Sequence, residues 1–220
     1  MEVMPVYLKI REPVNSISHL FGAGLSLAGL VFLVIKSIQA NSPAYILASL
    51  IFGLSLILLY CASAIYHWVI SHPGVIEALR KIDHCMIYIL IAGTYTPLCL
   101  LTLKGRLGTA LLIAIWGLAA VGIILKLVWF HAPRWLSTSF YLLLGWLALF
   151  FLYPISKAIP GPGILLLLLG GIFYSGGSIF YVLKSPKVRL GNLGFHEIFH
   201  FFILAGSITH YLFIYNYVLV

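Results

Sequence analysis

The last stretch of the chain, Gly194 to Val220, reads GFHEIFHFFILAGSITHYLFIYNYVLV. It contains His196-Glu197-Ile198-Phe199-His200, which matches H-E-x-x-H, the spacing at which two imidazoles on one helical face bind zinc and the glutamate serves as base. The same stretch is apolar nearly to its last residue and, as a helix, long enough to cross about 30 Å of hydrocarbon. A soluble metalloprotease helix and a membrane span belong to different folds, and the rest of the sequence decides between them.

It decides for the membrane. Of 220 residues, 62% are hydrophobic and 8% charged, far from the apolar and charged fractions of soluble domains. Seven apolar runs of spanning length follow one another at about 17–36, 44–67, 83–103, 108–129, 136–155, 163–183 and 195–218. Backbone polar groups in hydrocarbon must be satisfied within the segment, so runs of this length are helices; a lipid-facing barrel would show short alternating segments, which this sequence lacks. The expectation is an all-α integral membrane protein, one seven-helix domain over residues 1–220 with almost nothing left for a soluble unit. The first run exceeds a signal-peptide core and no small-x-small cleavage site follows it, so it reads as a retained helix. Loops are short and marked by Asn41-Ser42-Pro43, His72-Pro73-Gly74 and Pro160-Gly161-Pro162-Gly163. Gly22 with Ser26 and Gly171 with Ser175, each pair four apart, are expected at close helix crossings.

The net charge of +8 would suggest a nucleic-acid partner in a soluble protein, but here Lys and Arg punctuate the ends of the runs, so none is expected. Nine of them (Lys9, Arg11, Arg80, Lys81, Lys126, Arg134, Lys184, Lys187, Arg189) fall on one side of the bundle and four (Lys36, Lys104, Arg106, Lys157) on the other. The positive-inside rule then puts the N-terminus in the cytoplasm and the C-terminus outside, in the cell membrane (the inner membrane of a bacterium). The three cysteines, Cys61, Cys85 and Cys99, are odd in number and sit within or beside spans, as packing residues do.

Ionisable groups inside spans face the interior and mark function. Counted along the helices, His19, His67, Asp83, His196 and His200 all come to the cytoplasmic end. His196 and His200 share a face of the last helix, continued by Ile203, Ser207 and His210; His210 lies roughly 15 Å deeper, too far to share a metal. One histidine from the second helix and two from the seventh supply the three protein ligands common in catalytic zinc sites, leaving a fourth position for water. Asp83 returns at the same depth to hold or deprotonate that water, and Ser63 stands one turn from His67. Glu12-Pro13 reads as a helix start, after which Glu12, Asn15 and His19 form one stripe that either lines the cavity or caps the helix. His72 and His131, in loops, have water available and need no special role; His84 is read as structural.

These positions also carry a resemblance. Glu12-Pro13-Val14-Asn15-Ser16-Ile17-Ser18-His19, Ser63-Ala64-Ile65-Tyr66-His67, Leu79-Arg80-Lys81-Ile82-Asp83-His84 leading into Ile91-Ala92-Gly93-Thr94-Tyr95-Thr96-Pro97, and His196-Glu197-Ile198-Phe199-His200 occur in order on a seven-span frame. The whole chain resembles the hemolysin III family of the progestin and adipoQ receptor superfamily. The resemblance implies a zinc ion near the cytoplasmic face held by His67, His196 and His200, with Asp83 touching the metal's water and Ser63 in the surrounding shell. It also implies a lipidic substrate or ligand: relatives are regarded as hydrolases of lipid amides, ceramide above all, or as receptors coupled to such hydrolysis, and bacterial-type members were named for haemolysis. Because the family pattern is His-x-x-x-His, Glu197 need not be the base. The spacing agrees, since a metzincin-type third histidine would fall on Gly206; in the first turn of a helix a carboxylate is favoured by the dipole alone.

The leading expectation is thus a zinc-dependent hydrolase of a lipidic amide or ester. A membrane sensor with structural zinc needs the same ligands. A hemolysin-type pore needs polar lining through the full depth, where spans four to six offer little.

Overall fold

The computed structural model of the chain describes residues 9–103, 105–183, 189–191 and 193–220. Three of the basic residues used for the charge bias, Lys104, Lys184 and Lys187, lie outside the described residues. Seven helices are long and apolar enough to cross a membrane: α1 Pro13–Gln39, α2 Pro43–Trp68, α3 Pro73–Thr102, α4 Gly105–Val128, α5 Arg134–Ala158, α6 Gly161–Leu183 and α7 Phe195–Val218. The described residues contain no strand, only an isolated bridge between Leu190 and Leu193.

The first three helices each begin at a proline, Pro13, Pro43 and Pro73, where the missing N–H would have had no helical partner and φ is already set. Tight reversals separate the helices. Asn41, with φ 50°, turns α1 into α2, and Gly105, with φ 68°, opens α4. Consecutive helices pack side by side from α1 to α4, α6 packs on α7, and α7 closes against α1. This ring brings the starts of α1, α3 and α7 and the end of α2 to one end of the bundle.

Close approach is written in small residues, as expected. A Cβ at Gly22 would lie 2.7 Å from the Tyr60 ring of α2, and one at Gly171 3.2 Å from the Trp146 ring of α5. The outer faces carry Phe21, Val31, Ile113, Phe150 and Ile179, all exposed, which is what a lipid-facing surface requires. Inside, Phe52, Tyr60, Leu33 and Ile115 are fully covered.

Two elements depart from the apolar runs. α3 starts at Pro73 rather than near residue 83, because its first turns carry Glu77, Arg80 and Lys81 and so do not register as apolar; Glu77 and Lys81 pair across one turn at 2.8 Å. Asp83, placed at the helix start by the sequence, is therefore well inside α3. α5 tightens into a 3₁₀ segment over Leu147–Phe151. There the Tyr95 hydroxyl accepts the Ala148 N–H at 2.7 Å and meets the Gly145 carbonyl at 2.8 Å, a side chain inserted into the backbone ladder, which is a recognised cause of such irregularity.

Candidate metal centre

The end of α2 is where the site begins. The last carbonyls of a helix lack intrahelical partners, and here Arg11 N donates to Trp68 O at 3.2 Å and Glu12 N to His67 O at 3.0 Å. The head of the chain is thereby stitched to the end of α2, and the Glu12 side chain falls on the His67 ring. His67 Nδ1 donates to Glu12 Oε2 at 2.6 Å, Asn15 Nδ2 donates to the same oxygen at 3.1 Å, and Arg11 Nε lies 3.3 Å from Glu12 Oε1. The His67 hydrogen bond, joined by Asn15 and the Arg11 charge, holds the Glu12 carboxyl down at about 2 despite partial burial. A carboxylate can only accept, so Nδ1 carries the proton and Nε2 of His67 presents a lone pair.

That lone pair faces the histidines of α7. His67 Nε2 lies 3.4 Å from His196 Nε2, and one ring nitrogen from each of His67, His196 and His200 falls within 4.8 Å of the other two. The ring centroids are 5.1 Å apart for His67 and His196 and 4.8 Å for each of the other two pairs. His67 and His200 are buried to 2% exposure, and His200 Nδ1 has no hydrogen-bond partner among the described residues. Facing imidazole nitrogens with no protein acceptor between them make a poor core but a ready cation site. Two ligands each 2.0–2.1 Å from a tetrahedral metal stand about 3.3 Å apart, so the His67–His196 separation fits such a centre.

Asp83 and Ser63 open onto the same cavity, of about 550 Å³, with the three histidines. Ser63 stands beside the Asp83 carboxylate, while the Nδ1 of His67 is occupied by Glu12. The helix 1 stripe comes to the site as well. Asn15 holds Glu12, and His19, 3% exposed, stacks on His200 with centroids 3.7 Å apart and has no partner for either nitrogen among the described residues. Glu197 is engaged elsewhere: its Oε2 accepts the Gly194 N–H at 3.0 Å and closes a capping box at the start of α7.

The remaining histidines find ordinary partners. His84 Nδ1 donates to Arg80 O at 2.7 Å and its Nε2 accepts from Tyr181 at 3.0 Å. His210 Nε2 donates to Leu167 O at 3.1 Å, at a wall of the cavity away from the cluster. His72 and His131 are exposed in or beside loops. The three cysteines are free thiols. Sequence reasoning left the Glu12–Asn15–His19 stripe open between cavity lining and helix capping, and it did not anticipate the tie between Glu12 and His67 or Arg80, Arg134 and Tyr181 at the cavity rim; the stripe was the available signal for the tie.

Seven spanning helices around a three-histidine cluster, two of its rings buried, define a multi-pass membrane protein with a candidate metal centre at one end, in a bacterium a protein of the inner membrane. The chain belongs to the haemolysin-III related family, whose model matches residues 7–211. It is 43% identical over 197 residues to a hemolysin-3 homolog of Bacillus subtilis (strain 168), covering 90% of this chain and 89% of the relative. Against hemolysin-3 of Bacillus cereus it is 39% identical over 209 residues, covering 95% and 92%. The human monocyte to macrophage differentiation factor is 29% identical over 178 residues, covering 76% of this chain and 68% of that protein, which bears out the wider progestin and adipoQ receptor resemblance.

Proposed function

We propose that the protein is a zinc-dependent hydrolase of a lipidic amide or ester, working at the cytoplasmic end of the bundle. The observation that carries this reading is the meeting of three imidazole nitrogens, within 4.8 Å of one another, with the Asp83 carboxylate in one largely apolar cavity. His67, His196 and His200 would hold the ion. When bound, zinc supplies a Lewis acid for a carbonyl oxygen and lowers the pKa of water to about 7. Glu12 fixes the tautomer and orientation of His67, as carboxylate partners of zinc-binding histidines do. Asp83 accepts the proton of the attacking water, with Ser63 beside it to hold the carboxylate in place. Leu59, Ile87, Leu90, Ile91 and Ile203 line the cavity and sheathe an acyl chain away from water.

The test is release of fatty acid from a panel of lipid amides and esters in nanodiscs. Asp83→Asn is expected to keep its zinc yet lose about 10²- to 10⁴-fold in turnover, the range for a missing general base, while Glu197→Gln stays mild because the glutamine oxygen still accepts the Gly194 N–H of the cap. The reverse order would make Glu197 the base. The name of the B. cereus relative favours a second reading, membrane lysis, but apart from His210 the buried imidazoles and Asp83 gather at one end here rather than along a conducting path. If wild-type protein shows no chelator-sensitive turnover over the panel, the same three ligands serve better as a structural clamp in a membrane sensor.

A further inference from the structure

Beside the metal cavity lies a second one, of about 310 Å³, where α3, α4, α5 and α6 meet at the same end of the bundle. Arg80, Lys126 and Arg134 line it together with Phe130, His131 and Ser137, and among the described residues no carboxylate does. Lys126 is 8% exposed, and its hydrogen-bond partner among the described residues is the neutral Ser137 hydroxyl at a long 3.4 Å. The Arg80, Lys81 and Lys126 cations stand 5.3, 5.2 and 5.1 Å from the centroid of the one Phe130 ring, and Arg134 stands 5.3 Å from that of Tyr181.

A ring quadrupole attracts a cation without neutralising it, and a nearly buried ammonium with no counter-ion is strongly disfavoured. The chain itself has little to offer. Of its five acidic residues, four are described, and none of these lines the cavity: Glu12 pairs with His67, Glu197 accepts from Gly194, Asp83 stands beside Ser63 and 3.5 Å from His84, and Glu77 pairs with Lys81, which leaves Lys126 without a carboxylate partner among the described residues.

We propose that this cavity is a binding site for a phosphate-type oxyanion. Two guanidinium forks and an ammonium converge on a space of the right scale, the donor set that suits a phosphate. Arg80, Arg134 and Tyr181 also line the metal cavity, so a molecule anchored here by its anionic group extends toward the three histidines. The anion site itself stands without any assumption about the metal. Its ligand is an anionic lipid headgroup or free phosphate, which share this chemistry.

Thermal unfolding of the full-length protein in phosphate-free, non-ionic detergent tests the site. The probes are inorganic phosphate, a short-chain phosphatidylglycerol and the matching phosphatidylcholine, whose choline the cations repel. Phosphatidylglycerol is expected to raise Tm at concentrations about tenfold or more below phosphatidylcholine, and Lys126→Met and Arg134→Gln each to weaken that response roughly tenfold, the effect of losing a charged hydrogen bond. Lys157→Gln, at the opposite end, should respond as wild type. Inorganic phosphate matching phosphatidylglycerol would identify the free anion as ligand; phosphatidylglycerol acting alone would identify the headgroup. Without any anion Lys126→Met should be at least as stable as wild type, since it removes an uncompensated charge. The proposal is overturned if neither anion shifts Tm, if phosphatidylcholine equals phosphatidylglycerol, if both variants respond fully, or if Lys126→Met is the less stable protein in the absence of anion.

Discussion

Glu12 takes hydrogen bonds from His67 and Asn15 on one carboxylate oxygen and faces Arg11 with the other, so one residue sets the tautomer of a buried ligand and fixes the head of the chain. Carboxylate partners of this kind are worth 10- to 100-fold in metal affinity. Glu12→Ala should weaken zinc binding by about that factor in chelator competition, and Glu12→Gln, which keeps an acceptor but not the charge, should recover part of it; unchanged affinity in both would make Glu12 only a helix-end residue. His67, His196 and His200 were legible in the sequence because a four-residue spacing and a depth count are local arithmetic. The Glu12 contact was not, because it joins groups 55 residues apart through two backbone hydrogen bonds that no periodicity announces. Glu197 shows the converse: its pattern suggested a base, and a single N–H three residues upstream accounts for it.

At the scale of the helix, length and apolarity were sufficient to find every span, since hydrocarbon tolerates no other backbone. They failed only where a helix leaves the apolar zone. α3 runs out through Arg80 and Glu77 to Pro73, and a hydropathy reading stops where the charges begin. The 3₁₀ segment of α5 was equally invisible, because it answers to a hydroxyl from α3. Tyr95→Phe leaves the buried Ala148 N–H without that acceptor, at a cost of about 1–3 kcal/mol, and should lower Tm in detergent without altering zinc content. A Tm equal to wild type would show that α5 restores its own ladder.

Across the whole molecule, the ring of helices brings the start of α1, the end of α2, the first half of α3 and the start of α7 together, so the site is a property of the bundle and not of any one motif. We infer from the excess of basic residues at that end that it faces the cytoplasm. Reporters at the N-terminus and after Val220 should then lie inside and outside respectively, and both reporting one side would contradict the span count. The cations around Phe130 belong to this scale too: the sequence shows an excess of Lys and Arg, but only the packing of four helices shows that Arg80 and Lys126 meet over one ring and, with Arg134, line one cavity. The central claim is that His67 from α2 and His196 and His200 from α7 form one metal centre, and elemental analysis of the purified protein tests it most directly. The account predicts about one zinc per chain in the wild type, since three imidazoles and a water complete a tetrahedral site, with most of it lost in His67→Ala and in His200→Ala and retained in His131→Ala. Full zinc retention in the His67 and His200 variants, or no zinc in the wild type after growth with zinc and purification without chelator, would contradict it.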